Sequence, residues 1–251
     1  NPLFWNKSSP VLFPIVGTLK QGFYFHEKKE YKLPRHGFAR DRNFIVDKVS
    51  KSQLILSLDS CAETLKIFPF LFKLYIVYIL DDNVLKVLYK VENLSNTEIM
   101  HFSLGAHPAF RVGETAEDFN NYKLLFNNDK VLKVNHLFDG ILTTQQNNIL
   151  LDHQKLQLDY KLFENDALVM LDMKSDKITL VDDNERNRLN FEFTNFPYFG
   201  IWTVKDSGFI CLEPWAGISD FEITNQQLVD KAGINTLKPN ETWSASWKIS
   251  T

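Results

Sequence analysis

Phe70-Leu71-Phe72-Lys73-Leu74-Tyr75-Ile76-Val77-Tyr78-Ile79-Leu80-Asp81-Asp82-Asn83-Val84-Leu85-Lys86-Val87-Leu88-Tyr89-Lys90-Val91-Glu92 decides the fold class. Its apolar residues recur with a period of two. Phe70, Phe72, Leu74, Ile76, Tyr78 and Leu80 fall on one face of a strand, and Lys73, Tyr75, Val77 and Ile79 on the other, which is therefore partly buried too. Asp81-Asp82-Asn83 supplies turn chemistry, because short polar side chains tolerate the backbone angles of a hairpin. On the return, Leu85, Val87, Tyr89 and Val91 alternate with Val84, Lys86, Leu88, Lys90 and Glu92. The wider apolar stretch from Leu65 to Leu80 is broken by Lys66, Pro69 and Lys73 and is too short to cross a bilayer. A turn at Asn93–Asn96 and a third strand at Ile99–Leu104 extend the pair into an antiparallel meander.

The same texture predicts strands at Asn43–Lys48, Gln53–Asp59, Lys123–Phe126, Lys155–Tyr160, Ala167–Met173, Lys177–Asp182, Leu189–Thr194, Gly200–Val204, Phe209–Leu212 and Thr242–Ile249. Only Thr224–Ala232 reads as a helix, with a short turn at Ala116–Asn120. No linker, fixed-period repeat or shift of composition divides the chain. The expectation is one all-β domain over residues 1–251, a sandwich of two large, mostly antiparallel sheets with few short helices. Two separate β domains would also fit the length, but no boundary signal supports them.

Composition removes several function classes. With 28 basic and 31 acidic side chains the net charge is −3, so there is no excess of Lys and Arg to neutralise a nucleic acid. Hydrophobic content of 44% beside 24% charged residues is ordinary globular usage and excludes disorder. Cys61 and Cys211 are too few and too far apart for a disulfide scaffold or a cysteine-based zinc site. No secretory signal is visible, so the expected compartment is the cytoplasm and no membrane partner is expected. Aromatics reach 14%, with 21 Phe, which suits large buried sheet surfaces and also suits sugar pockets.

Three segments join reactive residues to turn residues: Leu33-Pro34-Arg35-His36-Gly37-Phe38-Ala39-Arg40-Asp41, Ser103-Leu104-Gly105-Ala106-His107-Pro108-Ala109-Phe110-Arg111 and Cys211-Leu212-Glu213-Pro214-Trp215-Ala216-Gly217. Each has a plainer reading. His36 would serve as a hydrogen-bonded loop residue, His107 as a capped core histidine. Glu213, in an apolar setting, would form a structural ion pair with Arg35, Arg40 or Arg111. His26, His101, His136 and His153 read as surface residues. Two chemical alternatives stay open: a metal held by His36, His107 and Glu213, without supporting ligand spacing, and glycoside hydrolysis by Asp166 and Glu213. A phosphate-cradling glycine loop is absent.

Taken together with Pro10-Val11-Leu12-Phe13-Pro14-Ile15-Val16-Gly17, these segments in this order resemble the aldose 1-epimerase, or galactose mutarotase-like, family, in particular its LacX-type branch. The resemblance covers nearly the whole chain. It implies a β-supersandwich, interconversion of the α and β anomers of a free aldose, and no cofactor or metal. By the same resemblance His107 takes the place of the general acid and Glu213 that of the general base. His36 matches a substrate-binding histidine, Asp166 an aspartate holding sugar hydroxyls, and Arg40 an arginine shared with the hexose-6-phosphate branch. Arg35 is a further binding candidate, and Phe110 and Trp215 are candidate apolar faces for the sugar.

The segment Asn6-Lys7-Ser8-Ser9 departs from the Arg-Gly-Gly that precedes Pro-Val in the phosphate-sugar branch, while Arg35, Arg40 and Lys20 remain available as anion donors. Family members also carry strands ahead of this motif, so N-terminal strands are expected upstream of Asn1. The mechanism implied needs an acid and a base on opposite sides of the ring, the histidine kept protonated by neighbouring carboxylates. Loss of turnover, leaving a sugar-binding or sensing module, or a hexose-phosphate substrate are the alternatives, and a metal hydrolase ranks third. Neither the oligomeric state nor the particular sugar is readable.

Overall fold

The computed structural model describes residues 3–251. Strands dominate, and among the described residues the helical segments are one α-turn, Ala62–Leu65, and several 3-10 turns, including Ala116–Asn121 where the short turn was expected. Phe72–Asp81 and Val84–Asn93 form the expected hairpin, with Phe72 opposite Asn93 and Asp81 opposite Val84. They lie within a nine-stranded sheet. Its order runs Lys155–Gln157, Tyr122–Phe126, Lys177–Asp182, Asn187–Thr194, Thr242–Ser250, Val84–Asn93, Phe72–Asp81, Gln53–Asp59, Ile45–Val49.

The meander stops there. The next neighbour of Val84–Asn93 is the chain's last strand, Thr242–Ser250, not Ile99–Leu104. Met100–Phe102 instead pairs with Asn235–Leu237. After Ser103, whose N–H donates to the Pro14 carbonyl, the chain enters the second sheet as Leu104–Ala106.

That second sheet has eight strands. Val11–Leu12, Leu104–Ala106, Phe209–Ala216, Tyr198–Trp202, Leu168–Met170, Val131–Phe138 and Ile141–Leu150 follow in order, with Ala109–Arg111 also paired to Phe209–Ala216. Its strand alternation separates two environments. Leu168, Met170, Phe199, Ile201, Ile210 and Leu212 join the main core, whereas Val169, Trp215, Leu12, Val16 and Leu142 form a smaller cluster on the outer face. The main core lies between the sheets. Phe191, from the nine-stranded sheet, packs 5.7 Å from Phe110 and 6.2 Å from Phe199 of the other.

The predicted helix at Thr224–Ala232 does not form; only Leu228–Asp230 makes a 3-10 turn. Local side chains capture the backbone instead. Gln226 N–H donates to Thr224 Oγ1, Gln227 N–H donates to Asn225 Oδ1, and Gln226 takes a φ of 59°. His101 is also not a surface residue: it is buried, with Nδ1 3.2 Å from Thr236 Oγ1.

Candidate active site

The site is built on the outer face of the eight-stranded sheet. Phe209–Ala216 runs through what reads in sequence as a turn, so Glu213 and Trp215 sit within a strand rather than after it. Glu213 pairs with Gly200, and Cys211, Glu213 and Trp215 share one face. Along the other edge of this strand the partner is interrupted. Leu104–Ala106 pairs near Trp215 and Ala109–Arg111 pairs near Cys211. His107 and Pro108 fill the gap, opposite Glu213, and the Pro108 carbonyl accepts from Leu212 N–H at 3.2 Å. Proline and the break in pairing thus release His107 from the strand and bring its ring to Glu213.

The result is a pair. His107 Nε2 lies 3.3 Å from Glu213 Oε2, with Glu213 2% and His107 8% exposed. Burial pushes the Glu213 carboxyl well above its ordinary value and the His107 imidazole down to about 3, Arg35 and Arg40 acting the same way on the imidazole. The favoured form is therefore uncharged, a protonated carboxyl facing a neutral imidazole. The expectation that carboxylates hold His107 protonated is reversed, because desolvation outweighs attraction. The two groups expected to be acid and base stand side by side, not on opposite sides of a cavity.

The loop carrying His36 is fastened to the Pro10–Gly17 run. Phe38 and Ala39 N–H both donate to the Phe13 carbonyl, and His36 N–H donates to the Gly17 carbonyl at 2.8 Å. In return Gly17 N–H donates to His36 Nδ1 at 3.1 Å, while Arg35 Nε stands 3.3 Å from Nε2. Burial first, then Arg35 and His107, hold His36 well below the usual histidine range. With N–H donors facing both nitrogens, an imidazolium has no place there. The His36 and His107 rings meet edge to face at 6.1 Å.

These residues surround a cavity of about 430 Å³. Arg35, His36, Arg40, His107, Asp166, Glu213 and Trp215 all line it. Arg40 donates to the Arg35 carbonyl at 2.8 Å, and Arg35 faces Asp166 at 3.6 Å. Asp166 holds a φ of 97°, a backbone conformation that costs a non-glycine residue energy, and its Oδ1 accepts from Ala167 N–H. Trp215 lies across the sheet between two glycines: a Cβ at Gly105 would come within 2.7 Å of its ring, and one at Gly200 within 2.5 Å.

Phe110 is the exception. It pairs with Ile210, on the core face of the strand, and packs on Phe191, so the alternation turns it away from the cavity. Beside Trp215, two aromatic walls come from residues that sequence reading missed. Trp5 stacks on His107 at 4.8 Å, and Trp202 meets the same ring edge-on at 5.7 Å. Trp202 was legible as a neighbour of Gly200 in a strand; Trp5, in an irregular segment, carried no signal. Lys20 is occupied elsewhere, its ammonium donating to the Glu222 carbonyl at 2.7 Å. Arg111 is paired with Glu114, away from the cavity.

A sequence model of the family described as Aldose 1-epimerase matches residues 2–250. The chain belongs to the aldose 1-epimerase family. Within that family it is 32% identical to a protein LacX, plasmid, of Lactococcus lactis subsp. lactis, over 99% of this chain and 87% of the relative. A galactose mutarotase related enzyme from Lactobacillus acidophilus superposes with a TM-score of 0.90 at 31% identity, covering all of this chain and 84% of the other. A galactose mutarotase-like protein from Lactobacillus casei gives 0.89 at 30% identity, covering 100% and 87%. The galactose mutarotase-like fold expected from the motifs is the fold observed. Members of this aldose 1-epimerase family act on sugars, and among the described residues no helix is long and apolar enough to cross a membrane.

Proposed function

We propose that the protein interconverts the α and β anomers of a free aldose, with Glu213 as base and His107 as acid. One observation carries the reading: a carboxyl and an imidazole 3.3 Å apart within a cavity of sugar-binding size. The anomeric hydroxyl and the ring oxygen are both bonded to C1, so adjacent groups reach both at once. Glu213, as carboxylate, takes the hydroxyl proton while His107, as imidazolium, gives one to the ring oxygen. The bond from C1 to the ring oxygen breaks and the aldehyde forms; rotation about C1–C2 and reversal of both transfers closes the opposite anomer.

The reactive form contains the same number of protons as the resting neutral pair, so one transfer across the 3.3 Å gap produces it. Arg35 lowers the Glu213 value, which favours that transfer, while Arg35 and Arg40 oppose a charge on His107, so the hydrogen bond of the polarised sugar to the ring must supply the balance. His36, Arg35, Arg40 and Asp166 hold the hydroxyls, and Trp215, Trp5 and Trp202 offer apolar faces to the ring. An uncharged sugar fits better than a phosphorylated one, because Arg35 is already neutralised by Asp166 and Lys20 points elsewhere. Free Cys61 and Cys211 suit the reducing cytoplasm.

Polarimetry of freshly dissolved aldoses, or NMR exchange between anomers, tests the reading. Glu213→Gln should lower the rate by about 10²–10⁴-fold. Buffer rates with the wild type across aldoses and their phosphates would overturn it. A second reading, sugar binding without useful turnover, is favoured by the same neutral pair, since the charged form is disfavoured by burial. Calorimetric sugar binding without faster anomer exchange would select it.

A further inference from the structure

The strand that supplies Glu213 also places Cys211 on the same face, two residues earlier. Sequence reading grouped His36 with His107 and Glu213 as metal ligands and set both cysteines aside. The structure gives a different trio. Ligand atoms of His107, Cys211 and Glu213 lie within 4.8 Å of one another, and all three side chains are buried. We propose that His107, Cys211 and Glu213 form a binding site for a thiophilic divalent cation such as Zn²⁺, reached through the sugar cavity.

The donor set is one that Zn²⁺ accepts: a thiolate, a neutral imidazole and a carboxylate. His107 Nε2 and Glu213 Oε2 are already at the spacing of two ligands on one tetrahedral ion, and the Cys211 sulfur lies within 4.8 Å of a ligand atom of each. A second observation points the same way. The His107 ring is nine-tenths buried, and its Nδ1 has no hydrogen-bond partner, so the fold leaves a polar atom of this ligand unsatisfied. A neutral imidazole offers one nitrogen lone pair to a metal. Three protein ligands would leave a fourth position for water.

Binding replaces the thiol proton of Cys211, and the carboxyl proton of Glu213 where present; both protons leave to solvent, and no redox change occurs. Because the bound form holds a thiolate, occupancy rises with pH. Arg35 and Arg40 oppose a cation, whereas Asp166 on the cavity wall favours it. Since the ion occupies both members of the acid–base pair, it blocks sugar chemistry while bound. That consequence rests on the proposed function; metal binding itself does not.

The test uses the full chain with Cys61→Ser, which removes the exposed thiol. Co²⁺ titration should produce a near-ultraviolet thiolate charge-transfer band, displaced by one equivalent of Zn²⁺. The band should vanish in Cys61→Ser/Cys211→Ser, and Glu213→Gln should weaken Zn²⁺ binding at least about tenfold, a loss of about 1.4 kcal/mol. Circular dichroism establishes that each variant is folded. X-ray absorption on the Zn²⁺-loaded Cys61→Ser protein supplies a readout that needs no further variant: one sulfur scatterer with nitrogen and oxygen supports the site. No band, a band that survives Cys211→Ser, or a sulfur-free zinc shell overturns it. Anomer exchange is measured separately, so a protein that binds Zn²⁺ without turnover refutes the function and leaves the site standing.

Discussion

Glu213 and His107 are costly residues to bury, and the two costs have opposite pH signatures. The Glu213 value in the folded protein lies above its ordinary 4.5, so the unfolded chain ionises first and the fold loses stability as pH rises through that range. Glu213→Gln removes this penalty at pH 7. The variant should therefore melt higher than the wild type, by about 2–4 °C for each kcal/mol recovered, while losing activity. His107 behaves in reverse. Its folded value, about 3, lies below the ordinary 6.5, so the unfolded chain takes up the proton first and stability falls as pH drops below 6.5, levelling near 3. His36 adds to the same acid loss. Thermal melts from pH 8 to 4 should show that decline in Glu213→Gln, where the opposing Glu213 contribution is absent, and less of it in Glu213→Gln/His107→Gln. Turnover needs the pair to carry one proton, so the rate should stay flat through pH 6.5, where an exposed histidine would halve it.

At the scale of the element, the Phe209–Ala216 strand sets the site, and Trp215 is the side chain its neighbours must accommodate. A methyl at Gly200 would meet the Trp215 ring at 2.5 Å. Gly200→Ala should cost about 1–3 kcal/mol and shift the indole into the cavity, raising KM for any sugar. Denaturant melts and saturation kinetics check both effects. The strand also shows what sequence can and cannot express. Alternation found the Phe72–Asp81 and Val84–Asn93 hairpin, because each strand is long and its faces differ. Val131–Phe138 and Ile141–Leu150 went unnoticed despite the Asp139-Gly140 turn, since Thr143 to Asn148 is polar on an exposed edge strand. At Leu212-Glu213-Pro214, proline suggested an end; the missing edge partner at His107–Pro108 makes it tolerable inside the strand. Of the eight candidate residues that motif order singles out, seven line one cavity, and strand parity turns Phe110 away from it. Trp5 was illegible because its role comes from lying against His107, a contact across distant chain.

For the whole molecule, the outer-face site depends on the core beneath the sheet that carries it. Phe191 joins the two layers: it stacks on Trp247 of its own sheet at 5.6 Å and meets Phe110 and Phe199 of the other. Leu212, one residue before Glu213, and Ile201, one residue before Trp202, are fully buried in that same core. Removing the Phe191 ring takes support from both sheets at once. Phe191→Ala should cost about 3–5 kcal/mol. If the chain folds as one domain, the loss should appear as a single calorimetric transition moved to lower temperature, with cavity binding lost in step. Two separate transitions, one of them unmoved, would show that the sheets fold as independent units. The many phenylalanines then have a positional meaning: rings such as Phe13, Phe102 and Phe191 fill the space between two wide sheets, and the cavity is left to tryptophan and histidine.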